Sequence, residues 1–319
     1  MFMAPGARLH WPQVAAGYFI ALLLYGWQAR RAAPGTMPGL FQYLFPKEVW
    51  THRSSLNDAL FTFMTFILML TLFNQWIFTP KFYVELAKLL SFVLPPASGE
   101  VVDPGLGLLV LYSVTALLSA EFFYYWQHRA AHTFPALWEF HKVHHSAKAM
   151  TPLAVYRLHP VDFWMTGATK GFGIGLNFVI YAHFIPGLQH NLEFLGTNAV
   201  VFFLGLLGGA LHHSHIWLSF GPVFERFIIS PAQHQIHHSE KPEHYNKNFS
   251  AVLSVWDWVF GTLHTTKWQR EDFTIGLGSE KEEAPYQTAW SMLYHPFKAN
   301  FKMAAKRLGF AKKRPESAA

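Results

Sequence analysis

Residues 106–132 read LGLLVLYSVTALLSAEFFYYWQHRAAH. From Leu106 to Trp126 the run is mostly apolar with a single charged residue, Glu121, and a membrane-spanning helix needs about 20 predominantly apolar residues. The run continues directly into His128 and His132, four apart and therefore on one face of a helix. An apolar helix ending in paired imidazoles predicts a membrane-embedded helical protein whose chemistry sits at one membrane face.

Composition agrees with that reading. The chain has 319 residues, 51% hydrophobic and only 14% charged, against about 25% charged in ordinary soluble domains. Cysteine is absent, which excludes disulfides, thiolate metal sites and cysteine nucleophiles. Any metal site must therefore use imidazole and carboxylate, and 19 histidines are available. The net charge of +6 is scattered or lies beside apolar runs, so a membrane surface suits it and nucleic acid does not.

Other apolar stretches are Ala59 to Phe78, Phe163 to Ile185, and the shorter Leu195 to Leu211. Val14 to Trp27 is shorter again and is stopped by Arg30 and Arg31; no small-residue cleavage site follows, so it reads as a retained anchor. The predicted class is an all-α integral membrane protein with about four to five transmembrane helices. A cytoplasmic helical cap is expected to hold a histidine-ligated dinuclear metal site. The expected organisation is an N-terminal membrane anchor over 1–105, a histidine-box core over 106–265, and a cytoplasmic C-terminal segment over 266–319. From about Glu280 that last segment reads as solvated and fraying.

The loop from Gln28 to Asn57 carries Arg30, Arg31, Lys47 and Arg53 against Glu48, which places it in the cytoplasm. Threading the spans from there, with the last two as a hairpin, brings every histidine cluster to the cytoplasmic side. Gly167, Gly171 and Gly175 on one arm and Gly205 and Gly209 on the other have the spacing that lets helices approach closely in lipid. His183 and His190 fall at the opposite face and are assigned no role.

The sequence HxxHH occurs twice, at His141, His144 and His145 and again at His234, His237 and His238. At about 6% histidine, chance predicts on the order of 0.07 occurrences in a chain this long. Neutral imidazoles at i, i+3 and i+4 aim at one region and suit iron, copper, nickel or zinc. With His128 and His132 the boxes supply eight imidazoles, more than one zinc uses, so two metals fit the count. The Glu-x-x-His pairs of soluble di-iron bundles are missing. A metal transporter would place its ligands mid-span, and a zinc hydrolase would carry a HExxH-like base; neither pattern is present.

HRAAH, HKVHH and HQIHH, in this order and spacing, resemble the three boxes of the fatty acid hydroxylase/sterol desaturase superfamily, which are integral-membrane di-iron oxygenases. The likeness runs from about Glu121 to Leu263. It includes Arg157-Leu158-His159-Pro160 and Asn248-Phe249-Ser250 followed by Trp256-Asp257 and Phe260-Gly261-Thr262. The resemblance implies that His128, His132, His141, His144, His145, His234, His237 and His238 bind iron. A ninth ligand is implied within Leu211-His212-His213-Ser214-His215. Family spacing to Gly221-Pro222 favours His213, with His212 and His215 as the alternatives. His159 is a ligand or an outer partner in some branches, and equally a helix-start histidine bonded to backbone. Glu121, where relatives often carry Asp, is implied to orient a ligand imidazole, and Asp257 to do likewise. Phe249-Ser250 departs from the common Tyr-Gly, so any hydroxyl function of that tyrosine is lacking here.

The implied activity is O2-dependent hydroxylation or desaturation of an unactivated C–H bond. Implied cofactors are two iron ions, with O2 as co-substrate and an external electron donor. The expected partners are a membrane lipid or sterol-like substrate, the bilayer itself, and a separate redox partner, since no cytochrome or ferredoxin segment is fused. Phe122, Phe123, Tyr124, Tyr125, Trp126 and Trp164 either line the substrate tunnel or serve as interfacial bulk.

Overall fold

The computed structural model describes residues 9–68, 85, 88–100, 103–186, 193–194 and 197–309. Their regular secondary structure is helical apart from a two-residue antiparallel strand pair, Glu193–Phe194 with Thr197–Asn198, and turns and irregular segments join the helices. The expected span Ala59 to Phe78 is helical over Arg53–Leu68, and its remainder lies outside the described residues, as does His190. The helices that position the site are α1 (Trp11–Ala29), α2 (Arg53–Leu68), α3 (Gly105–Thr133), α4 (Pro135–His145), α5 (Pro160–Phe184), α6 (Ala199–Leu206), α7 (Pro231–His237), α8 (Val255–Val259) and α9 (Ala289–Arg307).

The stretch from Leu106 to His132 is one helix, α3. Among the described residues it is the helix long and apolar enough to cross a membrane, and only 33% of its most apolar window is buried inside the protein. Its other faces are therefore available to lipid. The partner along its length is α5, and the two approach closely at Gly173. A Cβ there would lie 2.6 Å from the Ser119 carbonyl oxygen and 2.8 Å from Ala120 Cα, while Ser119 Oγ donates to the Gly173 carbonyl at 2.8 Å.

Two expectations need correction here. The glycine spacing predicts that α5 and the following arm approach each other, but the close approaches run elsewhere. Gly173 meets α3, and a Cβ at Gly205 would collide with Gln13 of α1. The arm itself is not a span. Its helix covers only Ala199–Leu206, started by Asn198, whose side chain accepts from the backbone of Val200 and Val201. Gly208, at φ 115°, ends it in a left-handed turn. Eight residues rise about 12 Å, well short of a bilayer.

The C-terminal expectation is also overturned as far as Arg307. Thr288 and Ser291 form a capping box that starts α9. Ala289 and Met292 then pack in a core with Phe61 of α2, Val143 of α4 and Tyr286. The polar composition of the tail concealed a helix with one apolar stripe.

Candidate metal centre

His128 and His132 sit on the last turns of α3. Phe134 then caps α4 and Pro135 opens it, since proline at a helix start removes only a donor that would have no partner. This tight corner folds α4 back so that the rings of His132 and His141 lie 4.9 Å apart. α7 is started by a capping box between Ser230 and Gln233, with Pro231 at its first turn, and carries His234 and His237, with His238 at its C-cap. His213 comes from the segment after α6.

These nine imidazoles converge in two groups. His128, His132, His141, His145 and His237 form one; His144, His213, His234 and His238 form the other, and within each the ligand atoms lie within 4.8 Å of one another. Each HxxHH box is split between them. α4 gives its i, i+4 pair to the first group and His144 to the second, whereas α7 gives His237 to the first and its i, i+4 pair to the second. The two boxes are thus related by an approximate two-fold exchange, and neither group is complete without both.

The ring nitrogens themselves test whether a cation fits. His128 Nδ1–H donates to the Phe249 carbonyl at 2.6 Å, and His141 Nδ1–H donates to Asp162 Oδ2 at 2.8 Å. In neutral rings both Nε2 atoms then carry lone pairs, yet they face each other at 2.9 Å. Two acceptors at that distance repel unless a cation lies between them. The same crowding recurs in the second group, at 3.2 Å for His144–His213, 2.9 Å for His213–His234 and 3.3 Å for His234–His238. Metal–imidazole bonds of about 2.0–2.1 Å put neighbouring ligand nitrogens roughly 2.8–3.4 Å apart. His132 Nε2, His144 Nδ1, His237 Nε2 and His238 Nδ1 are buried with no hydrogen-bond partner. Five imidazoles in the first group also exceed the four ligands of a structural zinc. The residues fit two metal ions.

Burial holds His144, His145, His234 and His238 well below the ordinary histidine range, with further lowering from neighbouring rings. His237 is pushed down to about 3 by burial, despite its hydrogen bond to the Lys247 carbonyl. Neutral imidazole is the ligand form. Because the folded values are depressed, the unfolded chain takes up more protons as acidity rises. This contribution to stability is full above the unfolded value of about 6.5 and is lost as pH falls through the folded values. Chelator-stripped protein is therefore expected to unfold at lower temperature at pH 5.5 than at pH 7.5; a melting temperature that rises on acidification would contradict this.

The other candidates lie outside both groups. His159 caps α5, accepting from the Val161 N–H at 3.1 Å and donating to the Leu293 carbonyl at 3.0 Å, as a helix-start histidine does. His212 donates to the Ile229 carbonyl at 3.3 Å and His215 to the Tyr43 carbonyl at 2.8 Å. His183 reaches the Pro95 carbonyl. Glu121 touches no imidazole: it accepts from Lys170 at 2.9 Å and from the backbone N–H groups of Ala251, Val252 and Leu253. Asp257 accepts from the backbone of Phe249 and Ser250 and from Thr262 Oγ1. Both carboxylates act one step further out than expected, by fixing the loop whose carbonyls orient His128 and His237. Asn248, at φ 57°, gives that loop its left-handed turn, and its side chain bonds the Gln233 carbonyl and the His264 N–H.

Asp162 is the orienting carboxylate that the sequence reasoning missed. Its signal was an acid in the first turn of a helix opened by His159-Pro160. Asp162→Asn is expected to weaken metal retention by about 10–100-fold, measured by competition against a chelator; unchanged retention would remove Asp162 from this role.

Of the six aromatic tunnel candidates, Tyr124 lines the cavity beside the cluster. Phe122 packs on Trp256, Phe123 on Phe172 and Tyr125 on Phe260, while Trp126 and Trp164 are exposed.

The family model for fatty acid hydroxylase matches residues 113–262, a region that contains all nine imidazoles and both loop-fixing carboxylates. That region carries a fatty acid hydroxylase domain. The chain is similar to an ornithine lipid hydroxylase of Rhizobium tropici, 28% identical over 238 residues, which cover 70% of this chain and 63% of that protein. Human alkylglycerol monooxygenase is 28% identical over 51% of this chain and 32% of its own length. Human lathosterol oxidase is 27% identical over 50% of this chain and 47% of its own. The matches thus span less than two thirds of each of these relatives. No solved structure gives a significant match.

Proposed function

We propose that this protein is a membrane-bound, O2-dependent di-iron oxidoreductase that hydroxylates, or desaturates, an unactivated C–H bond of a membrane lipid or sterol-like substrate. One observation carries the reading. A cavity of about 260 Å³ has His128, His141, His144, His213 and His234, drawn from both groups, on its wall. The rest of its lining is mixed: Val155, Leu158, Val201, Leu204, Ile228 and Ile229 form an apolar part, and Gln127, Asp162, Thr166 and Lys170 a polar one. A hydrocarbon segment would desolvate into such a space and present a C–H bond to both metal positions at once.

Bound iron would supply oxygen activation and the removal of a hydrogen atom. The chain's own residues hold the nine imidazoles in place and shield them from water. Trp138 lies 5.0 Å from the His132 ring and Phe249 5.1 Å from it, covering the first group. A more polar cavity, lined by His132, Lys142, His145, His237 and Glu282 among others, meets the first group from another side. This is the side we assign to an external electron donor.

Exposed Phe19, Leu23, Phe63, Leu111, Phe184 and Phe203 on five helices support a multi-pass protein in contact with lipid, and the basic 28–57 loop supports a cytoplasmic cluster. The similarity to lipid hydroxylases and a sterol oxidase supports the substrate class. The test is lipid profiling of expressing cells grown under isotopically labelled O2. Lipids that gain one labelled oxygen support hydroxylation, and lipids that lose two hydrogens support desaturation. Neither change in cells whose purified protein carries iron would overturn the proposal.

A further inference from the structure

Behind the last histidine box, and separate from the nine imidazoles, lies a second convergence of metal-ligating side chains. His244, His264 and Glu271 bring one ligand atom each to within 4.8 Å of the others. His244 Nε2 faces Glu271 Oε2 at 3.6 Å, and His264 Nε2 faces Glu271 Oε1 at 3.8 Å. Both separations are too long for a hydrogen bond. They lie a few tenths of an ångström outside the edges of a tetrahedron with bonds of about 2.0–2.2 Å.

The two histidines are held from outside the convergence. His244 is buried and its Nδ1 is engaged by Ser239 Oγ at 2.8 Å, which aims Nε2 at the carboxylate. The main chain of His264 is fixed twice, its N–H by Asn248 Oδ1 at 2.8 Å and its carbonyl by Gln233 Nε2 at 3.1 Å. Its ring lies 5.1 Å from that of His244. Two imidazoles and one carboxylate, with His264 and Glu271 partly exposed, make a donor set suited to a divalent transition ion of the zinc type.

We propose that His244, His264 and Glu271 form a third metal site, taking one divalent ion of the zinc class as a clasp between the loop after α7 and the segment after α8. Its place in the fold gives it a purpose. The loop it would tie down runs from Ser239 to the Lys247 and Phe249 carbonyls that orient His237 and His128, and Asn248 links that loop directly to His264. The inference stands apart from the oxygenase reading.

The experiment titrates iron-loaded, detergent-purified protein with Co2+, following visible absorption, and measures bound iron by mass spectrometry. Glu271→Gln and His264→Asn are run alongside. About one equivalent of cobalt is expected to bind the wild type with ligand-field bands, and both variants are expected to lose that uptake while keeping their iron. No uptake by the wild type overturns the proposal, whatever the variants do. So does uptake that persists in both variants, or uptake that His144→Ala removes and Glu271→Gln does not. Iron content reports on the cluster independently, so failure of the clasp and failure of the di-iron reading give different results.

Discussion

Replacing His144 with alanine is expected to abolish turnover and to lower bound metal by about one ion per chain. His144 is the sole contribution of α4 to the second group, which would keep only His213, His234 and His238. Its Nε2 lies 3.2 Å from that of His213, and its ring is 4.6 Å from that of His238. Alanine leaves an apolar gap that no neighbouring side chain fills with a donor. Removing an outer partner of a ligand costs about 10–100-fold; removing the ligand should cost more. The first group keeps all five of its imidazoles, so its ion should remain. Metal analysis by mass spectrometry, with product formation from lipid, checks both halves. A variant that retains two ions and measurable turnover would remove His144 from the centre. Loss of both ions would mean that the groups form a single cooperative unit.

The nine residues of the two groups were legible because metal ligation demands a rare residue type at fixed spacing, and two HxxHH boxes are far from chance. Their partition was not legible. On a helix, positions i and i+4 project closer together than i+3, but which of them meets which partner depends on how α4 and α7 face each other across the cluster. The orienting groups were hidden for a related reason. The Phe249 and Lys247 carbonyls belong to the backbone, so no side chain marks them, and Asp162 reaches His141 across two helices. Hydropathy misjudged Leu195 to Leu211 because Gly208 interrupts a run that stays apolar, and backbone conformation carries no hydropathy. It misjudged the tail because capping by Thr288 and a single stripe of Ala289 and Met292 suffice to dock a polar helix.

Disrupting the buried pair of Asp58 and Arg157 is expected to have the largest effect on stability of any change outside the cluster. Arg157 is 1% exposed and Asp58 0%, with the guanidinium Nη1 donating to Asp58 Oδ1 at 2.7 Å. Nη1 also reaches Ser54 Oγ at 3.2 Å and Nη2 the Tyr286 carbonyl at 3.4 Å; the shorter of the other bonds run to the end of α4, from Nε to the Val143 carbonyl at 2.9 Å and from Nη2 to Ser146 Oγ at 2.8 Å and the Ser146 carbonyl at 3.1 Å. Arg157 thus satisfies carbonyls at the C-terminal end of the helix that carries His141, His144 and His145, where a positive charge is also favoured. Asp58→Ala leaves this cation buried without its counter-charge, at a cost of about 3–5 kcal/mol. Arg157→Lys should cost a comparable amount, because one ammonium cannot reproduce a planar fork that reaches α2 and α4 together. The double variant Asp58→Ala with Arg157→Met should recover part of the stability, since no isolated charge remains. It should not recover metal retention, because the Ser146 carbonyl would still lack the Arg157 donor, the Val143 carbonyl would keep only Ser146 Oγ, and the histidine turn would be loosened. Thermal unfolding in detergent and metal content, measured on the three variants, separate the two effects. If the double variant regains both stability and metal, the pair serves the fold alone and the end of α4 holds its histidines without it.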